Sequence, residues 1–275
     1  MFHNAESLTK ILLTVLSRMA NDTEDDDGIQ SVKTALEILE TLRENGPLRL
    51  TDIATEVDLA KSTAHRYLDT LESNNYLVRE GFKYRISGRF IHYAEEIYNR
   101  EPAYSMVEDK VKDLAQETGE LVQFLIEEHD RVVYVFNEVG KQGIQIDTHA
   151  GQYGYLHSTA GGKAILSTWP TEKVNQLPET DPGLPAVTDH TITDLGVLHE
   201  ELDEIRDQGY GVNDQENIVG VRAVAVPIRK SNGQAVGAIS ISGPTNRIRG
   251  ELFETDLPNR LRGVSNELEL NIRFL

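Results

Sequence analysis

The stretch AKSTAHRYLDTL, residues 60–71, decides how the N-terminal part of this chain folds. Ala64, Tyr67, Leu68 and Leu71 recur at steps of three and four, the spacing of one buried helix face. Ser62, Thr63, His65, Arg66 and Asp69 are left outside, and the first four fall on the opening turns. These are side chains that hydrogen-bond to phosphates and base edges. Yet the chain carries 27 basic against 45 acidic residues, a formal charge of −18. Such a balance is unexpected in a partner of a polyanion.

Working outward, Val32, Ala35, Leu36, Leu39 and Leu42 trace a helix face behind Ser31, whose hydroxyl is a suitable N-cap, and Gly46-Pro47 stops that helix. Thr51 can cap a second helix that buries Ile53, Ala54 and Val57, and a short break at 58–60 leads into the third. Downstream, YLVREGFKYRIS (76–87) alternates Phe82, Tyr84 and Ile86 with Lys83 and Arg85 about a Glu80-Gly81 turn, a hairpin with one basic face. Three short helices followed by a basic hairpin read as a winged helix-turn-helix. In that motif the start of the second helix of the pair meets base edges in the major groove. The residues assigned to DNA are Thr51, Lys61, Ser62, Thr63, His65, Arg66, Lys83 and Arg85. The alternative is a protein-interaction module with a solvated charged face.

Local charge answers part of the conflict. Residues 61–89 carry a net +3, whereas residues 101–275 carry −13. Affinity for DNA follows the local array of phosphate contacts, so the acid elsewhere does not forbid binding. Lysine is scarce (10 Lys and 17 Arg against 18 Asp and 27 Glu), and a hydrated acidic surface of this kind suits a high-salt cytoplasm. An ordinary acidic bacterial protein is the other reading.

Composition excludes several classes. There is no cysteine, hence no disulfide, thiolate catalysis or Cys-ligated zinc. No run of 18 apolar residues is present to span a membrane. Ile11–Leu16 is apolar but short, and no small-residue cleavage site follows it, so a cytoplasmic location is expected. The acidic run ANDTEDDDG (20–28) is too charged to pack, so residues 1–30 read as a disordered extension, with Met19 as a candidate translation start.

Residues 31–87 then form the winged domain and 88–101 an amphipathic linker helix. Its stripe of Phe90, Ala94, Ile97 and Tyr98 could pair with a second copy or be buried in either domain. Residues 102–275 form a second domain. A helix is expected over 105–119, and strands over 121–128, 131–140 and 143–150. A helix capped by Thr193 and closed by Gly209 comes next, then two strands joined at Ser231-Asn232-Gly233, and a last helix from about Leu252. Strand hairpins with helices at the ends indicate an α+β domain around an antiparallel sheet. GYLHSTAGGKAILSTWP (154–170) opens a helix on small residues, whose free amides suit a carboxylate or phosphate. It is not a nucleotide loop, because His157 and Ala164 stand where glycine and Ser/Thr are required. A glycine-rich helix start that packs on a sheet and binds nothing is the plain alternative.

Over residues 31–275 the chain resembles the IclR family of transcriptional regulators. SVKTALEILETL resembles its opening helix and LHSTAGGKAIL its helix-start loop. GYGVNDQENIVGVRAVAVPI followed by GAISISGP is similar to its signature through Gly209, Glu216, Ala223, Val224, Ala225 and Ile228. Asn213, Arg229 and Lys230 depart from it. The resemblance implies a DNA-binding dimer, or dimer of dimers, with a GAF-like C-terminal domain that binds a small organic acid, aromatic or sugar-derived effector. Carried over, the effector residues are Ala160, Gly161, Asn213, Val221, Ala223, Ser240 and Ser242. No cofactor and no metal are expected. An enzyme or a scaffold on the same α+β domain remains the rival; G-x-S-x-G and HExxH are absent, and His157 is the best catalytic candidate.

Overall fold

The computed structural model describes residues 28–146, 148–180 and 183–274. The chain divides at Arg100/Glu101 into two compact units. Most of the N-terminal extension, the acidic run up to Asp27 and the Met19 start lie outside the described residues. Among those residues no helix is long and apolar enough to cross a membrane.

The first unit holds α1 (Gln30–Asn45), β1 (Leu48–Arg49), α2 (Leu50–Glu56), α3 (Lys61–Ser73), β2 (Leu77–Glu80), β3 (Lys83–Ile86) and α4 (Arg89–Arg100). Its core joins Ile38 and Leu42 of α1, Ile53 of α2, Leu68 and Leu71 of α3, and Leu77 and Tyr84 of the wing. The α1 stripe is rotated from the expected one: Ile38 takes the core position, and Val32 and Leu36 stay exposed. Neither expected cap forms. Ile29 stands before α1 with no side-chain cap. Thr51 lies inside α2, whose N-cap is Arg49, with the Asp52 carboxylate accepting from the Arg49 backbone N–H at 3.4 Å. The wing has a third strand, because β1 pairs with β3 in the order β1-β3-β2, all antiparallel. Phe82 is not part of the buried alternation; it stands in the turn.

The linker helix α4 is clasped to the winged domain at its start. The Tyr76 and Tyr93 hydroxyls are 2.9 Å apart and the rings are stacked. Phe90 meets Tyr76 edge-on at 5.8 Å. The Arg89 guanidinium lies 4.8 Å over the Tyr76 ring and donates to the Asn74 carbonyl. Of the expected stripe, Phe90, Ala94 and Tyr98 are half-buried and Ile97 is exposed.

The second unit holds α5 (Ala103–Thr118), β4 (Leu121–Glu128), β5 (Arg131–Val139), β6 (Tyr153–Tyr155), α6 (Ala160–Leu166), α7 (Thr171–Val174), α8 (Leu195–Gln208), β7 (Gly211–Asp214), β8 (Val221–Arg229), β9 (Ala235–Pro244) and α9 (Leu257–Ile272), the last entered through a π-helical turn at Leu252–Asp256. The strands make one antiparallel sheet in the order β6-β5-β4-β9-β8-β7. His129 and Asp130 turn β4 into β5 with φ of 55° and 58°, the left-handed pair of a tight hairpin. Residues 143–146 and 148–150 are not a strand; the edge position next to β5 is taken by β6. Asp194, not Thr193, caps α8, its carboxylate accepting from the Val197 N–H. α6 packs against the loop that leads into it through Gly162, where a Cβ would stand 2.2 Å from the Leu156 carbonyl oxygen. That close approach explains one of the two loop glycines without a ligand.

Candidate nucleic-acid interface and ligand cavity

In the winged domain α3 buries Ala64, Leu68 and Leu71 and turns Lys61, Ser62, His65 and Arg66 to solvent, with Thr63 half-buried. The ring of His65 is fixed by Asp69, one turn on, at 2.7 Å from Nδ1. With Nδ1 held by Asp69, Nε2 is the ring nitrogen left for a ligand. Arg66 has no acidic partner among the described residues, so its fork is open. Lys83 is exposed on the wing. Arg85 is engaged instead: its guanidinium meets Glu80 at 2.6 and 2.7 Å and donates to the Ile86 carbonyl, bracing the hairpin. The Thr51 hydroxyl donates to Asp52 at 3.1 Å.

In the second unit all seven residues expected at the effector, Ala160, Gly161, Asn213, Val221, Ala223, Ser240 and Ser242, line one cavity of ≈ 40 Å³. That is about three times the space one water needs. Register brings them together. Ala223 pairs with Ser242 and Ala225 with Ser240 across β8 and β9, and Asn213 pairs with Ala223 across β7 and β8. Side chains two apart share a face, so the serines and alanines converge under the start of α6. The hydroxyls of Ser240 and Ser242 and the amides of Ala160 and Gly161 have no hydrogen-bond partner among the described residues. The third amide, of Gly162, is taken by the Thr159 hydroxyl.

Sequence reasoning missed Gln123, Leu125, Tyr134, Ile146, Thr148, Asn217 and Ile218, which line the same cavity. Gln123 donates to Asn137 and Thr148, which fixes its amide. The Tyr134 hydroxyl has no partner among the described residues, and burial pushes its pKa up to about 12, so it stays a donor. The alternating polar residues in apolar strands (Gln123 in β4, the serines in β9) were the available signal.

Lys163 does not face the cavity as a counter-charge. Its ammonium, on a side chain 1% exposed, meets both carboxylate oxygens of Glu216 at 2.7 and 2.8 Å and Glu201 at 2.9 Å. Burial pushes the Glu216 carboxyl up and the ammonium opposes that shift; the two-pronged contact is that of an ion pair. The Glu216 N–H in turn donates to Asn213, whose amide donates to the Ser158 carbonyl. An aspartate at 213 could accept but not make that second bond. His157 is buried with Nε2 at 3.0 Å from the Pro185 carbonyl, and burial lowers its pKa. That bond fastens the loop at Pro185 to the start of α6. Among the described residues no group of three or more His, Asp or Glu side chains is arranged to hold a metal.

The model of the IclR helix-turn-helix domain matches residues 31–81, and that of the bacterial transcriptional regulator IclR C-terminal domain matches residues 100–269. The chain belongs to the IclR family of transcriptional regulators: a DNA-binding winged domain joined to a small-molecule-binding domain. It is similar to the probable HTH-type transcriptional regulator ArcR of Halobacterium salinarum, 28% identical over 249 residues that cover 89% of this chain and 94% of that one. It is likewise similar to the probable transcriptional regulator SauR of Cupriavidus necator, 33% identical over 237 residues, 85% and 93% of the two chains. The crystal structure of the Thermotoga maritima IclR superposes with a TM-score of 0.78 at 29% identity, covering 90% of this chain and all of that one.

Proposed function

We propose that this regulator works in the cytoplasm of a high-salt cell, as a homodimer or dimer of dimers, and is controlled by a small carboxylate held in the second-unit cavity. The observation that carries the ligand class is a set of donors without protein acceptors: the Ser240, Ser242 and Tyr134 hydroxyls and the Ala160 and Gly161 amides. With Lys163 bound to Glu216 and Glu201, the anion is recognised by neutral donors, and charge-assisted hydrogen bonds are the stronger kind. In calorimetric titrations of the full chain, short carboxylates bind and their neutral amides do not. Ser240→Ala combined with Ser242→Ala weakens binding at least 10-fold, since each bond to a charged group is worth about 1.5–3 kcal/mol. Tight binding of a neutral compound alongside indifference to every carboxylate overturns this reading.

Dimerisation is supported by apolar side chains left in water at the start of α1 and on α4: Ile29, Val32 and Leu36 at one, Ile91 and Ile97 on the other. Salt tolerance is supported by the charge distribution. Counterion release costs affinity as salt rises, with a slope near −0.9 per phosphate neutralised. A reading surface of only +3 beside a unit of −13 depends on base contacts and dimer avidity instead. A footprint on the operator therefore persists in molar potassium chloride, where nonspecific binding is gone. Its loss by about 0.3 M would mark an ordinary phosphate-driven binder.

A further inference from the structure

The tip of the wing departs from the chemistry expected of a surface turn. β2 and β3 pair Glu80 with Lys83, so Gly81 and Phe82 alone make the turn. Gly81 has φ +62°, the glycine-first pattern of a type II′ hairpin, in which a polar second residue serves well. The chain places phenylalanine there, 81% exposed, while Tyr84 two residues on is 2% exposed and supplies the aromatic that the core needs.

The surroundings of Phe82 give it a partner. Lys83 is exposed beside it. Arg79 donates to the Gly81 carbonyl at 3.2 Å and lies 5.6 Å over the Tyr84 ring, which sets a second cation against the turn. The Glu80–Arg85 pair stiffens the stem. An exposed apolar ring with a lysine beside it and an arginine at the turn, on a hairpin that shares its core with α3 through Leu68, Leu71, Leu77 and Tyr84, fits duplex DNA: cations for the phosphates and a ring for the base stack. Aromatic and aliphatic wedges in the minor groove unstack a base step and kink the duplex.

We propose that Phe82 is such a wedge, entering the minor groove and opening a flexible pyrimidine–purine step beside the bases read by α3. The proposal rests on the DNA-binding reading of α3 and adds a bend to it. An apolar insertion is not screened by salt, which suits a surface with few cations.

The test uses the full chain and a duplex that it selects from a random-sequence library, with dyes at the duplex ends to report bending. Phe82→Ala is expected to bind roughly 10- to 100-fold more weakly, the range found for loss of aromatic–base stacking. It should no longer bend the duplex, while its melting temperature and the salt slope of binding match the wild type. Lys83→Ala should lower the salt slope by about 1. Wild-type affinity and bending in Phe82→Ala overturn the proposal, and so does weaker binding with the bend intact, which would mean surface contact only. If Arg66→Ala also binds the selected duplex normally, the placement of α3 is what fails, and the bend in Phe82→Ala still decides the wedge.

Discussion

Replacing Arg66 with alanine abolishes specific operator binding and leaves the fold unchanged. Arg66 lies on the exposed side of α3, opposite Ala64, Leu68 and Leu71, and no carboxylate among the described residues competes for its guanidinium. A bidentate arginine–guanine contact is worth about 1–3 kcal/mol. In a dimer the same side chain reads both half-sites, so the loss doubles to about 2–6 kcal/mol, roughly 30-fold to more than 10,000-fold in affinity. Gel shifts on the selected operator and on scrambled duplex measure the ratio. Arg66→Ala should bring the two affinities together, with an unchanged circular-dichroism melt. A wild-type ratio in the variant means that another surface reads the bases.

Lys163→Met is expected to give the largest loss of stability of any substitution considered. The side chain is 1% exposed, and Glu216 is 9% exposed against it. Methionine keeps most of the side chain's apolar stem but leaves Glu216 as a buried carboxylate without its cation, at a cost of about 3–5 kcal/mol. In a unit of this size that lowers the melting temperature by roughly 6–20 °C. Glu216 also anchors the loop that carries Asn217 and Ile218 to the cavity, so the variant should lose effector binding before it unfolds. Adding Glu216→Gln should recover part of the stability, because the uncompensated charge is removed. A single variant that melts within a degree of the wild type would mean that the ion pair does not hold this loop.

Much of the architecture is legible in local pattern. The α3 stripe, the β4 and β5 runs with their His129-Asp130 turn, and the Gly209 closure of α8 are each encoded within a dozen residues. What escaped has a physical reason. β1 is two residues long, too short for any alternation to register. A phenylalanine at position 82 continues a period-two pattern with Tyr84 and Ile86, and only the two-residue turn shows that it belongs to the tip. Residues 143–150 carry strand-like residues, but the place beside β5 was already filled by β6. The convergence of the seven cavity residues depends on the register between β7, β8 and β9, and the resemblance supplied it where spacing alone could not. The ion pairs of Lys163 could not be read from the sequence because its partners stand 38 and 53 positions away, beyond the reach of any sequence window.

The aromatic clasp of Tyr76, Phe90 and Tyr93 has a mechanical consequence. It makes the 12 residues of α4 a stiff handle on the reading head, about 18 Å long at 1.5 Å per residue. A stiff handle transmits rotation without loss. A tilt of about 10° over that length displaces one end against the other by about 3 Å, close to the 3.4 Å rise of one base pair. Helix-turn-helix dimers need their two reading helices one turn of DNA apart, about 34 Å. If two copies pair, a tilt of about 10° at the handle is therefore enough to carry them from matching two half-sites to missing both by a base, with no change inside the winged domain.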